Sequence, residues 1–147
     1  MTLAITTVTN SIAALSVTGL TIKDIDEIPQ GVMDRDCPIL TPNPDNFITK
    51  FEAKPDTLDK SKWTVEYELN YLLLYAVVGS GRTTVMEKFS GMVSKAFAFI
   101  DAVAAALTLT GSVDWEPGVV DSFDVVTIGE NSFHSCHVNM HITEFIN

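Results

Sequence analysis

From Trp63 onward the chain alternates strictly. Trp63, Val65, Tyr67, Leu69, Tyr71, Leu73 and Tyr75 fall on one face of an extended strand. Thr64, Glu66, Glu68 and Asn70 fall on the other, until Leu72, Leu74 and Ala76 replace them. This pattern predicts a strand that is one-sided in its first half and buried on both faces in its second. At about 3.3 Å per residue such a strand runs on the order of 50 Å, longer than a small domain is wide. Upstream, Asn46 to Lys54 alternates as well, with Phe47, Thr49, Phe51 and Ala53 on one face and Lys50, Glu52 and Lys54 on the other. The two segments predict a β-hairpin from Phe51 to Tyr67 that projects beyond the core, with Pro55 to Ser61 at its tip. A projecting hairpin with an aromatic face needs a cover, which in a small protein is often another subunit.

Helical spacing appears twice. In Leu3 to Val17, residues Ile5, Val8, Ile12 and Leu15 form one stripe, and Gly19 stands where a left-handed C-terminal cap is expected. After Gly79-Ser80-Gly81-Arg82-Thr83, the pair Thr84 and Glu87 reads as a capping box opening a long helix. There Val85, Phe89, Met92, Val93, Ala96, Phe97, Ile100, Val103, Ala104 and Leu107 recur at spacings of three and four. The other side carries Lys88, Ser94, Lys95 and Asp101, together with Ala98, Phe99, Ala102 and Ala105. That smooth surface either seats a neighbour or reflects only the preference of alanine for helix.

Short strands are expected within Leu20 to Ile28, at Cys37 to Leu40 and at Val119 to Val126. A turn at Gly129-Glu130-Asn131 leads into a long final strand, Phe133 to Ile146. In it His134, Cys136, Val138, Met140 and Ile142 share one face, and Ser135, His137, Asn139 and His141 take the other. The expected architecture is a single α+β domain spanning residues 1–147, with a mainly antiparallel, mixed sheet flanked by an N-terminal helix and one long helix, and a projecting β-hairpin.

Composition narrows the function. The chain has 147 residues, enough to bury a core without disulfides or a structural metal. Nineteen acids against nine bases give a net charge of −10, and Arg35 and Arg82 are the only guanidinium groups. That balance argues against sequence-specific nucleic-acid binding, which needs a dense basic patch. A secretion signal and a membrane span are both missing from the pattern, so synthesis and folding in the cytosol are expected, with no membrane partner. Cys37 and Cys136 read as reduced thiols rather than a disulfide framework.

Candidate chemistry is sparse. The Gly79 to Thr84 loop sits where a phosphate cradle would, but lacks the P-loop spacing and its lysine. His134, Cys136, His137 and His141 resemble a ligand set only as a list. On a strand, His137 and His141 point away from Cys136 and lie about 13 Å from one another. Asp24, Asp26, Glu27, Asp34 and Asp36 form an acidic segment without an EF-hand pattern, which reads as a solvated loop. The expectation is a protein that is not an enzyme, with no catalytic residues, no metal and no cofactor.

The order of features resembles a known family. It is carried by Ser16-Val17-Thr18-Gly19, Ile22-Lys23-Asp24-Ile25-Asp26-Glu27-Ile28-Pro29 and Asp36-Cys37-Pro38-Ile39-Leu40-Thr41-Pro42. Tyr67-Glu68-Leu69-Asn70-Tyr71 before Gly79-Ser80-Gly81-Arg82, and the closing Ile142-Thr143-Glu144-Phe145-Ile146-Asn147, complete it. Together these resemble the tail terminator, or tail completion, neck proteins of long-tailed bacteriophages. The resemblance implies a structural virion protein: a homohexameric ring at the head-proximal end of the tail tube that stops tube growth and docks to the head's connector or stopper protein. DNA would pass through its channel without sequence-specific binding. On that analogy Phe51 and Tyr67 of the hairpin, Arg82 of the loop and Phe99 of the helix are expected at subunit or tube contacts. Asp24, Asp26 and Asp36 are expected at the lumen or a ring contact. A head-completion stopper or a tail tube subunit is the nearest alternative, and a small metal-dependent hydrolase using the histidine strand is a more distant one.

Overall fold

The computed structural model describes residues 3–27, 37–78, 84–106 and 113–147. In chain order the elements are α1 (Ile5–Ala13), β1 (Thr21–Ile22), a 3-10 turn (Ile25–Glu27), β2 (Ile39–Pro42), β3 (Ile48–Pro55), β4 (Trp63–Val77), α2 (Thr84–Ala106), β5 (Val113–Ile128) and β6 (Asn131–Ile146). The fold is α+β: one six-stranded sheet in the order β1-β2-β4-β6-β5, with β3 also paired to β4. Only β1 and β2 run parallel. β2 and β3 lie end to end along the same edge of β4, β2 against Tyr71–Leu74 and β3 against Trp63–Leu69. Asn70 holds the corner between them. Its side-chain amide donates to the Asn46 carbonyl at 3.0 Å and to Thr49 Oγ1 at 2.9 Å, while its backbone N–H donates to the Phe47 carbonyl.

Both helices pack on one face. Val8 and Ile12 of α1 and Met92, Ala96, Phe99 and Val103 of α2 close over Val65, Tyr67, Leu69, Tyr71 and Leu73 of β4 and Cys136, Val138, Met140 and Ile142 of β6. Burying each large apolar side chain here stabilises the fold by roughly 1.5–3 kcal/mol. A second, smaller cluster of Ile39, Leu72, Leu74 and Phe133 lies on the opposite face. β4 is therefore one-sided and then two-sided, as its sequence predicts.

Several expectations are corrected. The first helix ends at Ala13, because the β-branched Val17 and Thr18 enter a turn in which Val17 bridges Leu20. Gly19, at φ +72°, serves that turn rather than capping the helix. In α2 the buried stripe is Met92, Ala96, Phe99 and Val103, so Phe99 enters the core while Phe97 and Ala104 face solvent. β5 begins six residues earlier than the apolar run suggests, since two bulges, between Glu116 and Val119 and between Asp121 and Asp124, absorb Pro117-Gly118 and Ser122. A bulge at Lys50, φ +54°, also shifts β3, placing Ile48, Phe51 and Ala53 on the helix side and Thr49 on the other. The hairpin is present, but β6 accompanies β4 along its whole length, up to Trp63 opposite Ile146. Only its tip, residues 56–62, stands clear of the ladder.

Candidate interaction surfaces

The sheet has a helix-covered face and an outer face, and the residues singled out in the sequence divide between them. Tyr67 is fully buried under α1, with its ring stacked on Phe51 at 6.2 Å between centroids. Its hydroxyl donates to Glu144 Oε2 at 2.6 Å. Glu144 is itself buried, and its Oε1 accepts the backbone N–H of Ala4. Ala4 is the N-cap of α1, so the β6 carboxylate takes the N-cap N–H, the part that the acid of a capping box plays. Burial, then the Glu144 hydrogen bond, pushes the Tyr67 phenol well above its usual range. Tyr67 and Phe99 are thus interior residues of a single chain and present no surface to a neighbour. Phe51 does, at 53% exposure.

The remaining candidates fall as follows. Asp24, just before the 3-10 turn, is half-buried, and Asp26 within it is exposed. The Asp24 carboxylate accepts the Ile25 N–H at 2.7 Å, and Glu27 accepts the Asp24 N–H at 3.2 Å, so these acids organise their own backbone. Asp34, Asp36, Arg82 and the Gly79 to Thr83 loop lie outside the described residues. Helix α2 begins at Thr84, where the sequence places the capping box.

The histidines separate by face as their alternation requires. His134 is buried on the helix side, and its Nε2 has no hydrogen-bond partner among the described residues. Cys136, two positions on, is fully buried, and burial with the Asp121 charge pushes its thiol up to about 12. Such a thiol is a poor nucleophile. His137 and His141 sit on the outer face. There the register aligns Glu68, His141 and Glu116 across three strands, beside a shallow groove of about 500 Å³ that Lys50, Asp121 and Asn139 also line. Among the described residues, no group of three His, Cys, Asp or Glu side chains is placed to hold a metal ion.

Of the outer margins of the sheet, only the hairpin side is expected from the sequence. β3 and, beyond β2, the short β1 share one margin, and β5 forms the other. Both expose apolar side chains: Ile48 and Phe51 on β3, with Leu58 at the hairpin tip, and Val119, Phe123 and Val125 on β5. Leu58 is 97% exposed. Phe123 also meets Phe89 of α2 at 4.8 Å between ring centroids. The signal was available as an apolar residue inside a polar turn, Asp56-Thr57-Leu58-Asp59. No protein-family model and no curated protein matches the chain.

Proposed function

We propose that the chain is a structural subunit of a bacteriophage tail. It forms a ring at the head-proximal end of the tail tube, terminates tube growth and offers a docking surface to the head connector, while DNA passes through the channel. One observation supports assembly most directly: among the described residues, a long, mainly antiparallel sheet is open at both margins, with exposed Phe51 and Leu58 at one and Val119 and Phe123 at the other. Edges of this kind are ordinarily blunted or covered. The resemblance of the turn and strand order to tail terminator proteins supplies the place in the virion. The acidity of the chain, at −10, suits a channel that must let DNA slide without sticking.

The same two margins would serve an open tube, so a tail tube subunit is the alternative. Closure separates them. Negative-stain electron microscopy of the concentrated protein, with and without magnesium, is expected to show closed rings with a hole wide enough for duplex DNA. Long tubes would move the assignment to a tube subunit, and monomers alone would overturn the self-assembling ring. Phe51→Ala is expected to weaken the ring without unfolding the chain.

A further inference from the structure

The residues of α1 do not favour a helix. Six of its nine are β-branched, Ile5, Thr6, Thr7, Val8, Thr9 and Ile12, the first five in an unbroken run. Such side chains lose χ1 freedom in a helix and suit extended backbone. The first turn holds no acid, the last turn no base, and Ala4 offers no capping side chain. Thr9 Oγ1 and Ser11 Oγ donate back to the Thr6 and Thr7 carbonyls, at 3.0 and 2.8 Å, a bond that competes with the helix. Nine residues also fall short of the roughly 12–15 at which a helix begins to hold by itself. α1 is helical because of what it touches: Val8 and Ile12 are buried in the core, and Glu144 accepts the Ala4 N–H.

The stretch that follows α1 holds the start of a different structure. Val17 and Leu20 bridge antiparallel around Thr18-Gly19, with the Leu20 N–H donating to the Val17 carbonyl at 3.1 Å. This is the closed end of a two-residue hairpin, one arm of which continues into β1. The Thr21 and Lys23 N–H groups donate to the Pro38 and Leu40 carbonyls on the β2 side, so Ile22 between them turns its N–H and C=O toward the margin. Among the described residues no strand lies beyond β1. Carrying the Val17–Leu20 register back sets Ser16 opposite Thr21 and Leu15 opposite Ile22. That pairing joins like with like: Ser16 and Thr21 are both exposed, and Leu15 and Ile22 both pack against the core cluster. The last turn of α1 prevents it, because there the Leu15 N–H is committed to the Ile12 carbonyl at 3.1 Å.

We infer that α1 is a strap with two positions. In the closed position it lies as a helix over Tyr67, with its first N–H held by Glu144. In the open position it leaves the sheet face, and Leu15 and Ser16 pair with Ile22 and Thr21 as the missing arm of the hairpin. The Leu15 N–H decides between them, serving Ile12 in one and Ile22 in the other. The turn is a fixed pivot for both, since the Lys95 ammonium of α2 donates to the Thr18 carbonyl at 2.6 Å. Opening takes the Ala4 N–H from Glu144 and uncovers apolar surface of β4 and β6 that the closed chain hides. The strap is thus a bistable element in which a short helix is traded for an added strand at the β1 margin. It does not depend on the ring reading and stands whether or not the chain assembles.

The test is amide hydrogen exchange on the full chain, followed residue by residue by NMR. In the wild type the amides of Val8 to Ala14 are expected to be at least about a hundredfold less protected than those of Tyr67 to Leu73, because the strap opens without the sheet. Thr6, Thr7 and Asn10 are exposed, so replacing all three with Ala favours the closed helix without touching the core, and α1 exchange is expected to slow about tenfold. Glu144→Leu with Tyr67→Phe removes the carboxylate without leaving the phenol unpaired. In that variant the α1 amides are expected to lose their protection while the Ile22 amide gains at least about tenfold, two opposite signs in one spectrum. If its sheet does not form, Thr6→Gly with Thr7→Gly opens the strap from the surface, and the same two signs are expected. Equal protection of α1 and β4 in the wild type would overturn the strap. Loss of protection in α1 with no gain at Ile22 would overturn its open position on β1.

Discussion

Glu144 ties two distant stretches of chain to one carboxylate: the phenol of Tyr67 and the first turn of α1. Removing one donor and removing the shared acceptor should therefore differ. Tyr67→Phe is expected to cost about 1–3 kcal/mol, the usual range for a buried hydrogen bond left half made. Glu144→Ala strands two donors and opens a cavity, so about 3–5 kcal/mol is expected, read as a shift in the urea midpoint. Cys136 gives a second residue-level expectation. The folded chain holds the thiol proton up to about pH 12, against an ordinary value of 9.0. The raised value means the unfolded chain loses that proton first, so this contribution is whole below pH 9 and is lost as pH rises toward 12. Stability should fall over that window, and less steeply in Cys136→Val. At pH 8 a thiol reagent should leave Cys136 unmodified until the chain is unfolded by denaturant.

At the level of elements, α2 is set against β4 by one small residue. A Cβ at Gly91 would overlap the Tyr75 hydroxyl and lie 2.8 Å from its Cζ. Helix propensity alone favours alanine there by about 1 kcal/mol, but overpacking costs about 1–3 kcal/mol, so Gly91→Ala is expected to lower the melting temperature. Tyr75→Leu in the same chain should reverse the sign. The elements also show what a sequence makes legible. Alternation is a local property with a short period, which is why the two-sided half of β4 and the sorting of His134 and Cys136 from His137 and His141 could be read directly. α2 is apolar nearly all the way round, so its spacing picks no single face and Phe97 and Phe99 exchange places. One bulge at Lys50 reverses the faces upstream of it in β3, and Pro117-Gly118, which looks like a terminator, fits inside β5. The burial of Tyr67 depended on a partner 77 positions away, beyond any local pattern. The exposed apolar positions were thus half legible: Phe51 was singled out, and Leu58 and the β5 margin were not.

For the whole molecule, the ring reading predicts that the hairpin tip matters to assembly and not to stability. Residues 56–62 are exposed throughout, and among the described residues their side chains bond within the turn, Asp56 to Leu58 and Asp59, and Asp59 to Ser61 and Lys62. Replacing Thr57–Ser61 with Asn-Gly, a tight hairpin turn, should change stability by no more than about 1 kcal/mol and yet prevent ring formation. Light scattering and a thermal melt on one sample would read both. The place of β6 has another consequence. It is the strand between β4 and β5, and it carries the carboxylate on which α1 rests. During synthesis nearly nine-tenths of the chain has been made before the first residue of that strand exists. Until then β4 and β5 have no common neighbour, and the apolar residues of α1 and α2 have half a floor. Uncovered apolar surface of this kind is aggregation-prone, so an early stop within β6 should yield insoluble product instead of a weakened fold.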